Sequence, residues 1–338
     1  MTLDPSMDGR GQDSQTAELL RRSPSSRAWL VSIALGQVIS VLITGTGIFS
    51  TELAGHGVNL PIVQSSLNYV LLCVFLARAW PDLRRRGLSA PLWQYVIWAA
   101  ADFEANFLVV TAYQYTSITS VMLLDCFAIP VAMVLARLLL GARHTLWHVA
   151  ACLVCLAGLA LIVLSDALDG GSHSAPNGPA WLGDALAVCG ASLYGLSNVL
   201  QERLLKHGAP RSEVLGVLGA LGTSLSLVQG LLVEGRALAA IRWRRESLVD
   251  LLGFQLCLFG MYVLTSVFLG MADAAVFNMS LLTSDVYSAL FAWCVQGLRP
   301  PWLYGVAFAT TLSGLTLYYS KPVASTPPRD VGEREPTM

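Results

Sequence analysis

Charge is what this sequence has least of. Only 13% of its 338 residues are charged, about half the usual share of a soluble domain, and nearly all of them fall between long apolar runs. No Lys, Arg or His lies at the centre of any run. The seven cysteines, Cys73, Cys126, Cys152, Cys155, Cys189, Cys257 and Cys294, all sit inside apolar runs, where Cys behaves as a small hydrophobe and not as a disulfide partner. Cys152 and Cys155 form a C-x-x-C without a second pair or a ligand histidine, which reads as helix packing. The five histidines, at 56, 144, 148, 173 and 207, lie in loops or at run ends and make no metal spacing, so neither metal nor cofactor is expected. "GASLYG" at 190–195 misses the spacing of a nucleophile elbow, and no enzyme is expected. A net charge of −1 without a basic block excludes nucleic acid as a partner.

What the chain has is hydrophobic residues, 54% of the total. A membrane helix needs about 20 mostly apolar residues, and ten stretches qualify: 29–50, 61–80, 92–113, 119–140, 145–164, 180–200, 213–233, 247–270, 275–296 and 302–320. Several begin or end on an interfacial aromatic, such as Trp29, Trp80, Trp93, Trp147, Trp181 and Trp302. Residues 1–28 and 321–338 are polar and rich in Pro, Ser, acids and Arg, the composition of disordered tails. The first run follows a long polar tail and is as long as a full span, so it reads as a retained helix and not as a cleaved signal peptide. Most of the 21 basic residues fall on one side if both tails are cytosolic. Arg236, Arg242, Arg244 and Arg245 depart from that pattern: either their loop tolerates the charges as a short interfacial segment around Trp243, or the count is off by one span in the second half.

Ten spans divide into five plus five. "LGQVISVLITG" at 35–45 resembles "LGDALAVCGAS" at 182–192, while "GAR" at 141–143 and "GLAL" at 158–161 match "GLR" at 297–299 and "GLTL" at 314–317 at an offset of 156. An odd number of spans per copy turns the second copy the other way up, the inverted-repeat plan of many secondary transporters, with substrate bound near the midplane. The expected fold is therefore an all-α integral membrane protein of ten transmembrane helices in two inverted five-helix repeats, 29–164 and 180–320, joined by an extracytosolic linker at 165–179.

Ionisable residues inside a span are costly and mark function by default. Four lie well inside spans, and all are acidic: Asp102, Glu104, Asp125 and Asp285. Arg78 and Arg137 are close enough to helix ends to snorkel. An acidic midplane repels a diphosphate and suits an organic cation, a neutral heterocycle whose N–H groups the carboxylates accept, or a proton. Residues two apart on a helix point about 200° from each other, so Asp102 and Glu104 cannot line one wall. Asp102 shares its face with Asn106 and Tyr113, and reads as cavity wall; Glu104 is the candidate for helix packing or coupling. "NMSLLTSDVY" at 278–287 adds Asn278, Thr283, Asp285 and Tyr287 to the expected substrate site, with Tyr113 and Tyr287 placed to stack on a ring. Pro130 is placed to kink the fourth span, and Gly45 and Gly47 to loosen or closely pack the first.

"ADFEANFLVVTAYQYTSITSVMLLDCFAIP" (101–130), "GASLYGLSNVLQE" (190–202) and "LLTSDVYSALF" (281–291) resemble the solute carrier 35 family, subfamily F, of the drug/metabolite transporter superfamily, over residues 29–320. The resemblance implies ten helices in inverted repeats and alternating access. Much of the wider family carries nucleotide sugars in the secretory pathway, but the missing central Lys or Arg departs from those carriers. Subfamily F implies small nucleobase-like, vitamin-like or cationic heterocyclic solutes.

The function expected is secondary active transport of a neutral or cationic small organic solute. The alternatives are a nucleotide-sugar transporter or a scaffold or receptor that transports nothing. Expected partners are the solute, the lipid bilayer and, as a compatible assembly, a homodimer. The expected location is the plasma membrane or a Golgi or endosomal membrane.

Overall fold

Helices account for almost all of the computed structural model, which describes residues 26–58, 60–112, 115, 121, 124–168, 180–241, 243–296, 302–321 and 324–325. In chain order they are α1 (Ser26–Gly55), α2 (Pro61–Arg86), α3 (Leu92–Ala112), α4 (Ala128–Leu139), α5 (Leu146–Leu168), α6 (Ala180–Lys206), α7 (Arg211–Val233), the short α8 (Gly235–Ala240), α9 (Arg245–Leu269), α10 (Ala274–Leu281), α11 (Thr283–Gln296) and α12 (Trp302–Tyr319). Each expected span overlaps at least one of them. Five of the described helices are long and apolar enough to cross a membrane: α2, α3, α7, α9 and, over Leu30–Ser50, α1. Large apolar side chains such as Leu138, Leu153, Val228, Leu232 and Leu256 point outward, as lipid-facing residues do.

Three local departures from expectation have physical causes. α2 continues through Pro81 to Arg86, beyond the expected end at residue 80. Pro130 falls in the first turn of α4, after an interruption at Cys126 and Phe127, where its missing N–H costs little. The ninth span is divided at Leu282 into α10 and α11.

Because lipid is as apolar as Leu, helices in a bilayer associate through close packing and polar contacts. α2 packs on α7, α5 on α12, α3 on α6 and α1 on α9. Glycines set the closest of these approaches. A Cβ at Gly216 would strike the Leu76 backbone, one at Gly219 would lie 2.7 Å from the Cys73 nitrogen, and one at Gly222 would meet the Tyr69 ring at 2.5 Å. In the α5–α12 pair, a Cβ at Gly158 would strike Thr311, and one at Gly314 would strike Cys155.

Acidic side chains fasten the helix ends. At one end of the α2–α7 pair, Glu234 accepts the N–H groups of Ile62 and Val63, each at 2.9 Å, and so caps α2, whose own N-cap Leu60 supplies no side-chain bond. At the other end the fully buried Glu213 accepts from Arg86 (2.9 Å), the Ser89 N–H (2.7 Å) and hydroxyl (2.8 Å), and the Tyr95 hydroxyl (2.5 Å). Glu202 caps α10 through the Ala274 N–H at 2.7 Å, and Lys206 bridges it to Asp273. Glu234 and Glu202 each supply an acceptor to a helix start that has none of its own.

The α4–α5 connection carries β1 (Ala142–Arg143), antiparallel to β2 (Ala324–Ser325), with Ala142 opposite Ser325. Trp147 Nε1 donates to the Leu317 carbonyl, and the Lys321 ammonium sits 4.7 Å above its ring. The segment after α12, expected to be disordered from residue 321, therefore starts out held against this connection. Burial pushes the His144 imidazole below its ordinary value, with His148 and Arg137 adding to the effect and Asp273 opposing it.

Gly219→Ala is expected to cost about 1–3 kcal/mol in thermal unfolding, because the α2 backbone must shift. Gly305→Ala, whose Cβ meets nothing within 4 Å, is expected to be neutral or stabilising by up to about 1 kcal/mol. For His144 the unfolded chain takes up a proton near pH 6.5 while the folded chain resists it. The melting temperature should therefore fall as pH drops below about 6.5, and His144→Gln should flatten that slope.

Candidate functional site

Asp102 is fixed at the meeting of four helices. It sits on α3 at 8% exposure. Its Oδ2 accepts the Tyr262 hydroxyl of α9 at 2.7 Å and the Tyr69 hydroxyl of α2 at 2.9 Å, and its Oδ1 accepts the Ser197 hydroxyl of α6 at 3.2 Å. Asn106, one turn on, donates to the Tyr262 oxygen at 3.3 Å and to the Asp102 carbonyl at 2.9 Å. The Tyr69 and Tyr262 rings meet edge to face, 6.1 Å between centroids. Among the described residues no Lys, Arg or His forms an ion pair with Asp102; hydroxyls alone satisfy it. Such charge-assisted bonds are stronger than bonds between neutral groups.

Glu104 is half-buried and makes no hydrogen bond among the described residues. Asp102 and Glu104 thus have different surroundings, with the interhelical bonds on Asp102 and not on the residue expected to hold helices together. Asp125 lies just before the break at Cys126, and its Oδ1 is buried without a partner. Tyr113 and the Asp285 side chain lie outside the described residues.

The polar residues of the ninth span are turned to neighbouring helices. Asn278 accepts from Asn198 of α6 at 2.9 Å and donates to the Ala274 carbonyl. Thr283 donates to the Ser40 hydroxyl of α1 at 2.9 Å, Ser40 donates to the Ser280 carbonyl, and Thr44 donates to the Ser284 carbonyl. Tyr287 donates to Gln37 Oε1 at 2.7 Å. Together they stitch α10 to α6 and both α10 and α11 to α1. A groove of about 460 Å³ lies between α4 and α5 and is lined by apolar side chains including Leu124, Phe127, Pro130 and Leu156, which suit lipid better than a polar solute.

Sequence reasoning missed Tyr69, Ser197 and Tyr262, because it searched the spans for charge. Their signal was present: a hydroxyl-bearing Tyr in the interior of an apolar run needs a partner as surely as a carboxylate does.

Tyr262→Phe removes a group that donates to Asp102 and accepts from Asn106, and is expected to lower stability by about 1–3 kcal/mol, more than Tyr69→Phe. In a double-mutant cycle with Asp102→Asn the two losses should sum to less than their independent values, read by thermal unfolding in detergent.

Comparison with known proteins agrees with this membrane-protein geometry. The family model described as "SLC35F: Solute carrier family 35" matches residues 25–320. Solute carrier family 35 member F2 of Mus musculus is 38% identical over 324 residues, which cover 94% of this chain and 86% of that protein. The Xenopus tropicalis protein of the same name is 34% identical over 310 residues, covering 88% and 78%. A solved crystal structure at 17% identity superposes with a TM-score of 0.66 over 85% of this chain and 96% of its own, which shows a shared fold. The chain belongs to solute carrier family 35, in its SLC35F group, and is a multi-pass membrane solute carrier.

Proposed function

We propose that the protein is a secondary carrier that moves a small neutral or cationic organic solute by alternating access between two inverted five-helix halves, with both termini in the cytosol. The helix pairing supports the repeat. Exchanging the halves maps α2 on α7 and α5 on α12 onto themselves, and turns α3 on α6 into α9 on α1; these are the four close pairs of the bundle. The α5–α12 contact is reciprocal at the offset read from the sequence: Gly158 faces Thr311, and Gly314 faces Cys155, each residue 156 positions from its counterpart.

One observation carries the substrate class. Asp102 of the first half is held by hydroxyls of both halves, without a base beside it among the described residues. A centre of this sign repels the phosphates of a nucleotide sugar and accepts N–H groups or positive charge. At the end we assign to the cytosol, Ile129, Ala132 and Met133 of α4 share a buried cluster with Ala274, Ala275 and Phe277 of α10. That packing closes the bundle on this side, as one state of an alternating-access cycle requires.

The test is reconstitution. Proteoliposomes offered a cell-extract mixture should accumulate neutral or cationic heterocycles and exclude UDP- and GDP-sugars. Asp102→Ala should reduce the initial rate at least about tenfold, the equivalent of about 1.4 kcal/mol, at unchanged protein incorporation. Accumulation of UDP-sugars, or undiminished uptake by the variant, would overturn the reading.

A further inference from the structure

Among the described residues, four of the buried polar atoms without partners lie on three side chains of α2 and α9. Asn68 of α2 is fully buried, and neither its Nδ2 nor its Oδ1 has a partner. Gln64, one turn away on the same face, is 7% exposed and leaves its Nε2 unmet. Gln255 of α9, 5% exposed, donates its Nε2 to the Gln64 carbonyl at 2.7 Å and leaves its Oε1 unmet.

A buried polar group without a partner costs about 1–3 kcal/mol, and in a bilayer no bulk water reaches it. Four unmet atoms on three neighbouring side chains are therefore a standing cost that packing does not explain. Apolar residues of the same size would fill the space and fold better. Polar groups kept at such a cost call for a specific cause, and a ligand that pairs with them is one.

We propose that Gln64, Asn68 and Gln255 form a carboxamide-lined subsite for an uncharged group that presents an N–H donor beside a C=O acceptor, as in a cyclic lactam or a primary amide. The inventory matches that edge. Two donors are free, Gln64 Nε2 and Asn68 Nδ2, and so are two acceptors, Asn68 Oδ1 and Gln255 Oε1. A carboxamide meets a lactam by pairing donor with acceptor and acceptor with donor. A cation would leave both donors facing positive charge, and an anion would leave both acceptors facing negative charge. No charged side chain hydrogen-bonds to any of the three among the described residues.

The location couples this subsite to the acidic centre. Asn68 immediately precedes Tyr69, and Gln255 lies two turns along α9 from Tyr262; both tyrosines donate to Asp102. A ligand between α2 and α9 touches both halves of the chain, beside the bonds that tie them. The inference rests on the transport reading and narrows its solute from neutral or cationic to neutral.

The experiment is thermal unfolding of the purified full chain in detergent with millimolar 2-pyridone, uracil or nicotinamide, set against N-methylpyridinium and UDP-glucose. The lactam and amide probes should raise the melting temperature, and the cation and the nucleotide sugar should not. Asn68→Leu and Gln255→Met, made separately, should weaken binding of the neutral probes at least about tenfold and leave the unliganded protein as stable as wild type or more so. The proposal is overturned if no neutral probe shifts the wild type, if N-methylpyridinium shifts it instead, if the lactam shift survives both substitutions, or if both variants melt earlier without ligand, which would make the amides structural. Probe binding without flux in proteoliposomes would keep the subsite and overturn transport. Flux of cations without lactam binding would do the reverse.

Discussion

A carboxylate buried in an apolar helix can be kept only if the surrounding helices bring it hydrogen-bond donors, and Asp102 takes one from each of three. Tyr69, Ser197 and Tyr262 come from α2, α6 and α9. Satisfying two oxygens at distances of 2.7 to 3.2 Å fixes the height and rotation of all four helices together. The constraint passes outward through Tyr69. Its hydroxyl is spent on Asp102, while its ring covers Gly222 so closely that a Cβ there would lie 2.5 Å from it. The position of α7 against α2 is thereby linked to a hydrogen bond on α3.

The helix ends repeat this logic with different chemistry. Inside the bundle the donors are neutral hydroxyls and the acceptor is acidic; at the ends, carboxylates accept from backbone N–H groups. Glu213 and Glu234, near the two ends of α7, hold the two ends of α2. Glu202 does the same for the start of α10. Negative charge at a helix N-terminus also complements the helix dipole, so Glu234 and Glu202 each cap a neighbour and fasten it to a second helix with one side chain, while Glu213 ties α7 to the end of α2 through Arg86. In this chain, scarce charge is concentrated where it satisfies backbone that hydrocarbon cannot.

The layout of the bundle was readable in the sequence to the extent that it follows from length and hydropathy. Apolar runs of the right length located the helices, and the pairing of "GLAL" with "GLTL" anticipated the reciprocal contact of Gly158 and Gly314 across α5 and α12. Asp102 stood out because a charge in an apolar run is conspicuous. Its partners did not, because Tyr69 and Tyr262 count as hydrophobic by composition and reveal their polarity only when another helix arrives. The same holds for Asn278, Thr283 and Tyr287. The sequence showed a polar stretch, and whether it faces a cavity or the hydroxyls of α1 depends on helix rotation, which a single span does not encode. Glu202, Glu213 and Glu234, at the ends of apolar runs or just beyond them, drew no attention, since what they bind lies in other helices.

The two kinds of contact also differ in how readily they can be exchanged. Glycine contacts in α2–α7 and α5–α12 bring backbones together and have no substitute if the helices separate. The bonds at Asp102, and those from Ser40, Thr44 and Gln37 to α10 and α11, end in hydroxyls, amides and a carboxylate, which can be remade to a solute or to water at little net cost. On the proposed transport reading a carrier needs both: tight steric contacts that stay together and polar contacts that open. Glycine contacts occur in all four close pairs, including Gly190 against Val109 in α3–α6 and Gly253 against Phe49 in α1–α9, and the bonds at Asp102 lie among them. On that same reading, the bonds at Asp102 are those for which a solute would compete, and its affinity would be set by the small difference between two sets of hydrogen bonds, which would let it leave.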